Sequence, residues 1–239
     1  MRGIDTILFD LDGTLLPMDM NEFLKRYLHE VASAFADMSD QMKLITYLLE
    51  STQYMLNNDG AKTNSEVFAE KFSSMMNGQI DIYLERFERF YDEGYINLKN
   101  FVYPNPLVKK SVDILKTKRY KLVIATNPIF PLKAVIHRIM WANLNPSDFS
   151  YITSYEKNRF CKPNINFFFE VLDAIEKEAY HCLLVGNDVQ EDLAGGKAGL
   201  STYLITDHMI NRNEETVVST YVGDYNDFLK FAEKLPYID

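Results

Sequence analysis

Four short, mainly apolar runs, at 4–9, 121–125, 181–185 and 202–205, each give way to polar residues at their carboxyl ends. Runs of this length, separated by stretches with helical periodicity, are the signature of buried parallel strands in βαβ units. A fifth and weaker run lies at 149–153. The helices between them carry start signals. Asn105 followed by Pro106 supplies an N-cap and a first-turn proline ahead of the apolar stripe Val108, Val112 and Leu115. Further helices are predicted over 130–141, 164–176 and 224–234.

The stretch 19–98 has no strand pattern and reads as four amphipathic helices. Asp19 and Glu22 predict a capping box before Leu24, Leu28, Val31 and Phe35. Ser39 is the expected cap of a second helix carrying Met42, Ile45, Leu48, Leu49 and Met55, which should stop near Asn58-Asp59-Gly60. Thr63 and Glu66 form another capping box before Val67, Phe68, Phe72 and Met76, with Gly78 as the stop signal. Ile80, Tyr83, Leu84, Phe87, Phe90 and Tyr91 trace one face of the fourth helix. The aromatic and methionine content here (Tyr27, Tyr47, Tyr54, Met75, Met76) fits a partly apolar lid as well as a self-contained four-helix core, and the latter is the preferred reading.

The first strand cannot form a sheet alone, so it must pair with strands from beyond residue 119. The helical block is therefore an insertion. The expected fold is α/β, a doubly wound parallel-sheet (Rossmann-like) core over 1–17 and 99–239, with an inserted all-helical cap domain over 18–98. The junctions fall near 16–18 and 97–104.

A formal charge of -9 argues against a nucleic-acid partner, because phosphate backbones select basic surfaces. No apolar run approaches the roughly 18 residues needed to span a bilayer, so no membrane partner is expected. Asp5, Asp10 and Asp12 break the opening run, which is not expected to be a signal peptide. Two cysteines, Cys161 and Cys182, in a chain this long make no disulfide framework and fit a reducing cytoplasm.

Ligands of open α/β sheets bind beyond the carboxyl ends of the strands. The candidate chemistry therefore lies just past those ends: Asp10-Leu11-Asp12-Gly13-Thr14 after the first strand and Thr126-Asn127 after the second. Lys162-Pro163 lies before the next helix, and Gly186-Asn187-Asp188 comes after the 181–185 strand, with Asp192 four residues on. Carboxylates meeting on one rim repel one another unless something positive sits among them, and a divalent cation with one lysine meets that need.

DLDGTL, ATN, CKP and GNDVQED, in that order, resemble the four motifs of the haloacid dehalogenase-like hydrolase superfamily. The position of the helical block resembles that family's cap inserted after the first motif. The resemblance implies an enzyme in which Asp10 is the nucleophile that becomes an aspartyl phosphate. It makes Asp12 general acid and then general base, with its backbone carbonyl on the metal. Mg²⁺ is the implied cofactor, held by Asp10, Asp12 and Asp188, with Asp192 either an outer ligand or the partner of Lys162. Lys162 would balance the nucleophile and the phosphoryl oxygens. The Thr126 hydroxyl and the amides of Leu11 and Asn127 would hold the phosphate.

The implied reaction is hydrolysis of a small phosphorylated metabolite by a cytoplasmic monomer or small homo-oligomer. Asp12 points to phosphate chemistry, since dehalogenating members do not need an acid at that position. Phosphonate-cleaving relatives use a cap lysine, and none of Lys25, Lys43, Lys62 and Lys71 stands out. A phosphomutase shares all four motifs and remains an alternative, as does a non-catalytic phosphate-binding regulatory module. Met18, Asn21 and Phe23 are the expected substrate contacts from the cap. His29, His137, His181 and His208 are scattered and suggest no metal cluster.

Overall fold

The computed structural model describes residues 3–76 and 80–238, so the expected helix stop at Gly78 lies outside the described residues. Six parallel strands form one sheet: β1 (Thr6–Phe9), β2 (Lys121–Ile124), β3 (Tyr151–Ile152), β4 (Cys182–Gly186), β5 (Ser201–Ile205) and β6 (Tyr221–Gly223). Their spatial order is β3-β2-β1-β4-β5-β6, with β1 and β4 central. The first five fall within or next to the apolar runs seen in sequence. The sixth gave no such signal, because this edge strand is three residues long and half-exposed.

After β1 the chain runs through four helices: α1 (Met20–Ala34), α2 (Gln41–Leu56), α3 (Asn64–Met75) and α4 (Ile80–Glu93). A 3₁₀ segment (Tyr95–Phe101) comes next, then α5 (Pro106–Thr117), α6 (Leu132–Trp141), α7 (Ile165–Ala174) and α8 (Tyr225–Lys234). Thr63 and Glu66 make both halves of their capping box. At α1 only half forms: Asp19 accepts from the Glu22 amide, while the Glu22 carboxylate takes the Arg26 Nε at 3.0 Å. The cap of α2 is Asp40, not Ser39. Asp40 stands three residues before the Lys43 amide that it accepts, whereas the Ser39 amide is already tied to the Phe35 carbonyl.

Alternation along β1 divides the core. Ile7 and Phe9 face one side with α5, α6 and α8; Leu8 faces the other, against Phe167, Phe168 and Val171 of α7. Helices thus cover both faces of the sheet, as a doubly wound fold requires. Within the helical block, Phe35 packs on Phe87 with ring centroids 4.6 Å apart, and Phe68 on Phe72 at 5.5 Å. That apolar cluster does not end inside the block. Tyr27 meets Phe130 at 5.3 Å and Tyr95 stacks on Trp141 at 5.4 Å, which joins it to the sheet's core. A self-contained four-helix core is therefore not what forms.

Candidate active site

Register decides where the chemistry goes. Phe9 lies opposite Ile124 on one side and Val185 on the other, so the three central strands end level with one another. Asp10 emerges between the ends of β2 and β4, its amide donating to the Val185 carbonyl at 2.9 Å. Asp10, Asp12, Thr126, Asn127, Asp188 and Asp192 all line a single cavity of about 150 Å³ at this edge. Residues more than 170 positions apart thus meet through strand pairing alone.

Lys162 sits beneath them, buried, with its Nζ 3.0 Å from Asp10 Oδ1 and 2.6 Å from Asp192 Oδ1. Its backbone is held by Asn127, whose Oδ1 accepts the Lys162 amide at 3.2 Å. Burial works against charge on this lysine, but the two carboxylates outweigh it and hold its pKa above the usual range. Burial also pushes Asp192 up to about 6 and Asp10 upward, with Lys162 opposing both shifts. The Leu11 amide faces the Asp10 carboxylate and favours its ionised form. Thr14 Oγ1 reaches Asp10 Oδ2 at 3.3 Å and Asn187 Oδ1 at 2.9 Å, fixing the other side of the carboxylate.

Of the two places open to Asp192, the structure uses the second. Its Oδ1 is on Lys162 and its Oδ2 accepts the Asp188 amide at 2.9 Å. The fold-back depends on Gly186, where an added Cβ would lie 2.2 Å from the Asp192 carboxyl carbon. Gly13 has a similar role at the first turn, with φ of +85° and no room for a side chain against Asn187.

Asp12 meets a group that the sequence did not single out. Its Oδ1 lies 3.3 Å from Nε of Arg138, a fully buried arginine on α6. Arg138 donates from Nη1 to the Tyr95 hydroxyl at 3.1 Å, and its guanidinium lies 4.4 Å from the centre of the Phe130 ring. Burial raises the Asp12 pKa, while Arg138 and then Lys162 lower it. Arg138 left one trace in sequence: it interrupts the apolar face of α6 formed by Val135 and Ile139. Arg212 left none, because it comes from the irregular segment after β5. That segment pairs with 187–189 through Ile210 and lays Arg212 across Asp188, with Nη2 2.7 Å from Oδ2. Glu191 was also missed; burial, with Asp188 nearby, pushes it up to about 7.

Thr126 is buried at the cavity wall, its carbonyl accepting the Thr153 hydroxyl at 2.7 Å. The cap contacts differ from expectation. Met18 and Phe23 are buried, Asn21 is exposed, and Met20 lines the cavity instead. None of the four histidines, nor Lys25, Lys43, Lys62 or Lys71, lines it.

The donors fit a hard cation. Asp10 and Asp188 offer carboxylates, and the Asp12 carbonyl accepts no hydrogen bond among the described residues. Among the described residues no group of three or more His, Cys, Asp or Glu is placed to hold a metal. Mg²⁺ keeps several waters and is commonly bound through one or two carboxylates.

The chain is similar to several known proteins. A phosphoglycolate phosphatase of Aquifex aeolicus (strain VF5) is 25% identical over 198 residues, covering 83% of each chain. A HAD-hydrolase of Bacillus subtilis, solved bound to magnesium, superposes with a TM-score of 0.59 at 21% identity, covering 97% of this chain and all of that one. The L-2-haloacid dehalogenase of Xanthobacter autotrophicus shares the fold with a TM-score of 0.58 at 12% identity, over 97% and 99% of the two chains. The family model for haloacid dehalogenase-like hydrolases matches residues 4–199, and this chain belongs to that family.

Proposed function

We propose that this enzyme is a Mg²⁺-dependent phosphatase that hydrolyses a phosphorylated metabolite through an aspartyl phosphate on Asp10. The observation that carries the reading is the buried Lys162 ammonium between Asp10 and Asp192, with Asp12 on the same cavity wall. A structural ion pair alone needs no second carboxylate opening onto a cavity. The name of the Aquifex relative and the magnesium of the Bacillus structure point the same way.

Asp10 attacks phosphorus, and the bond to the leaving oxygen breaks as Asp12 gives that oxygen its proton. Water then attacks the acyl phosphate, Asp12 takes back a proton, and phosphate leaves with Asp10 regenerated. Lys162 and the Thr126 hydroxyl hold the phosphoryl oxygens, and the amides of Leu11 and Asn127 complete the cradle. Asp10, the Asp12 carbonyl and Asp188 would hold Mg²⁺, which supplies charge neutralisation on the phosphoryl group. Arg212 shares Asp188 and is half-exposed, so it has room to swing aside. The reading also assigns 1–17 and 99–239 to a catalytic core and 18–98 to a cap, and places the enzyme in the cytoplasm.

The test is turnover of p-nitrophenyl phosphate. Phosphate release with Mg²⁺ that stops on adding EDTA is expected; no release with Mg²⁺, Mn²⁺ or Co²⁺ removes the reading.

A further inference from the structure

The polar cavity is not the only hollow at this edge. A groove of about 570 Å³ runs among α1, α2, α3 and α4, and Ile129 and Phe130 wall both spaces. At its outer end Leu24, Leu49 and Leu56 are 40%, 44% and 39% exposed. Its floor is aromatic, with Phe68 and Phe87 among the lining residues. The two hollows thus adjoin at Ile129 and Phe130, with the apolar surface on one side of this wall and the carboxylates on the other.

The chemistry of the lining decides what fits. No lysine, arginine or histidine contributes to it. Its two acids are engaged elsewhere: Glu66 closes the capping box with Thr63, and Glu88 pairs with Lys133 at 3.0 Å. The hydroxyls of Tyr27 and Tyr91 satisfy one another at 3.0 Å. Thr52 donates to the Leu48 carbonyl and Ser65 meets the Thr63 hydroxyl, so beyond the Tyr155 hydroxyl an anionic or polyhydroxylic leaving group would lose its water here for few partners, which costs free energy. An alkyl chain would lose nothing and bury apolar area.

We propose that the groove binds the alcohol half of the substrate, and that this alcohol is an elongated, uncharged, apolar chain. The substrate class is then the monophosphate of a hydrophobic alcohol. The inference rests on the phosphatase reading above and narrows it, and it separates this chain from a glycolate-releasing enzyme.

The test is a homologous series of n-alkyl phosphates, ethyl to decyl, below their micelle concentrations, with the full chain and Mg²⁺. Phosphoglycolate and p-nitrophenyl phosphate are run alongside. Each added methylene should raise kcat/KM about fourfold until the groove is full, and phosphoglycolate should be among the poorest substrates. Ala69→Phe, which fills the groove from α3, should collapse the ratio of decyl to ethyl phosphate turnover; Thr52→Phe, from α2, should do the same if the first variant fails to fold. Turnover of p-nitrophenyl phosphate with a flat alkyl series overturns the inference and leaves the phosphatase reading standing. A steep series that persists in both filled variants also overturns it, since the chain would then bind elsewhere. No turnover of any ester removes the underlying reading, and this inference with it.

Discussion

Lys162 sets the electrostatics of the site. A lone buried ammonium is costly, and so is each buried carboxylate; together they are tolerated because each offsets the desolvation of the others. Lys162→Met leaves Asp10 and Asp192 buried without a counter-charge. It should lower unfolding stability by about 3–5 kcal/mol near neutral pH, with a smaller loss at pH 5 as the carboxylates take up protons. Chemical denaturation at both pH values reads this, and a neutral-pH loss within about 1 kcal/mol would contradict it. Glu191 makes a separate prediction. Its pKa is raised from 4.5 to about 7, so the folded protein holds this proton more tightly than the unfolded chain does. Its stabilising contribution is complete below the unfolded pKa and is lost as pH rises through the folded one. The metal-free Tm should therefore fall as the pH is raised from below 4.5 to above 7, and Glu191→Gln should remove that part of the fall. An unchanged slope in the variant would show that Glu191 is not the group responsible.

At the scale of elements, glycine governs how the strand ends deliver their carboxylates. Gly186→Ala places a methyl group where the Asp192 carboxyl now lies, forcing that side chain away from Lys162. The expected result is about a hundredfold lower kcat/KM, the usual cost of a misplacement on the order of 1 Å, with the far-ultraviolet circular dichroism unchanged; full activity would mean that the Asp192–Lys162 contact is dispensable. Which elements the sequence revealed depends on burial. The central strands read clearly because both faces are covered and almost every side chain is apolar, as in Leu183, Leu184 and Val185. The edge strand Tyr221–Gly223 did not, because half-exposed residues need not be apolar. Asp10 and Asp188 were legible at this rim because they follow apolar strands, and Lys162 because CKP, in the loop before α7, resembles a family motif. Arg138 and Arg212 were not, since one is a charge inside an apolar helical face and the other arrives on irregular chain. Both become visible only when the fold lays them against Asp12 and Asp188.

Over the whole molecule, parallel pairing makes one sheet edge the meeting point of residues from across the chain, and the inserted helices lay an apolar groove beside it. The sheet supplies charge and position; the helices supply shape and apolar surface. The continuity of the two cores through Tyr27 and Phe130 means that a substrate filling the groove contacts the wall of the reaction cavity itself. All of this depends on Asp10 forming a covalent bond to phosphorus. The most direct measurement is to quench the enzyme with acid during turnover, reduce it with borohydride and map the peptides by mass spectrometry. An acyl phosphate at position 10 is reduced to homoserine, so that product should appear at that position, only when substrate is present, and never in Asp10→Asn. Unmodified aspartate at position 10 in an enzyme caught turning over, or the same modification at another carboxylate, would contradict the account.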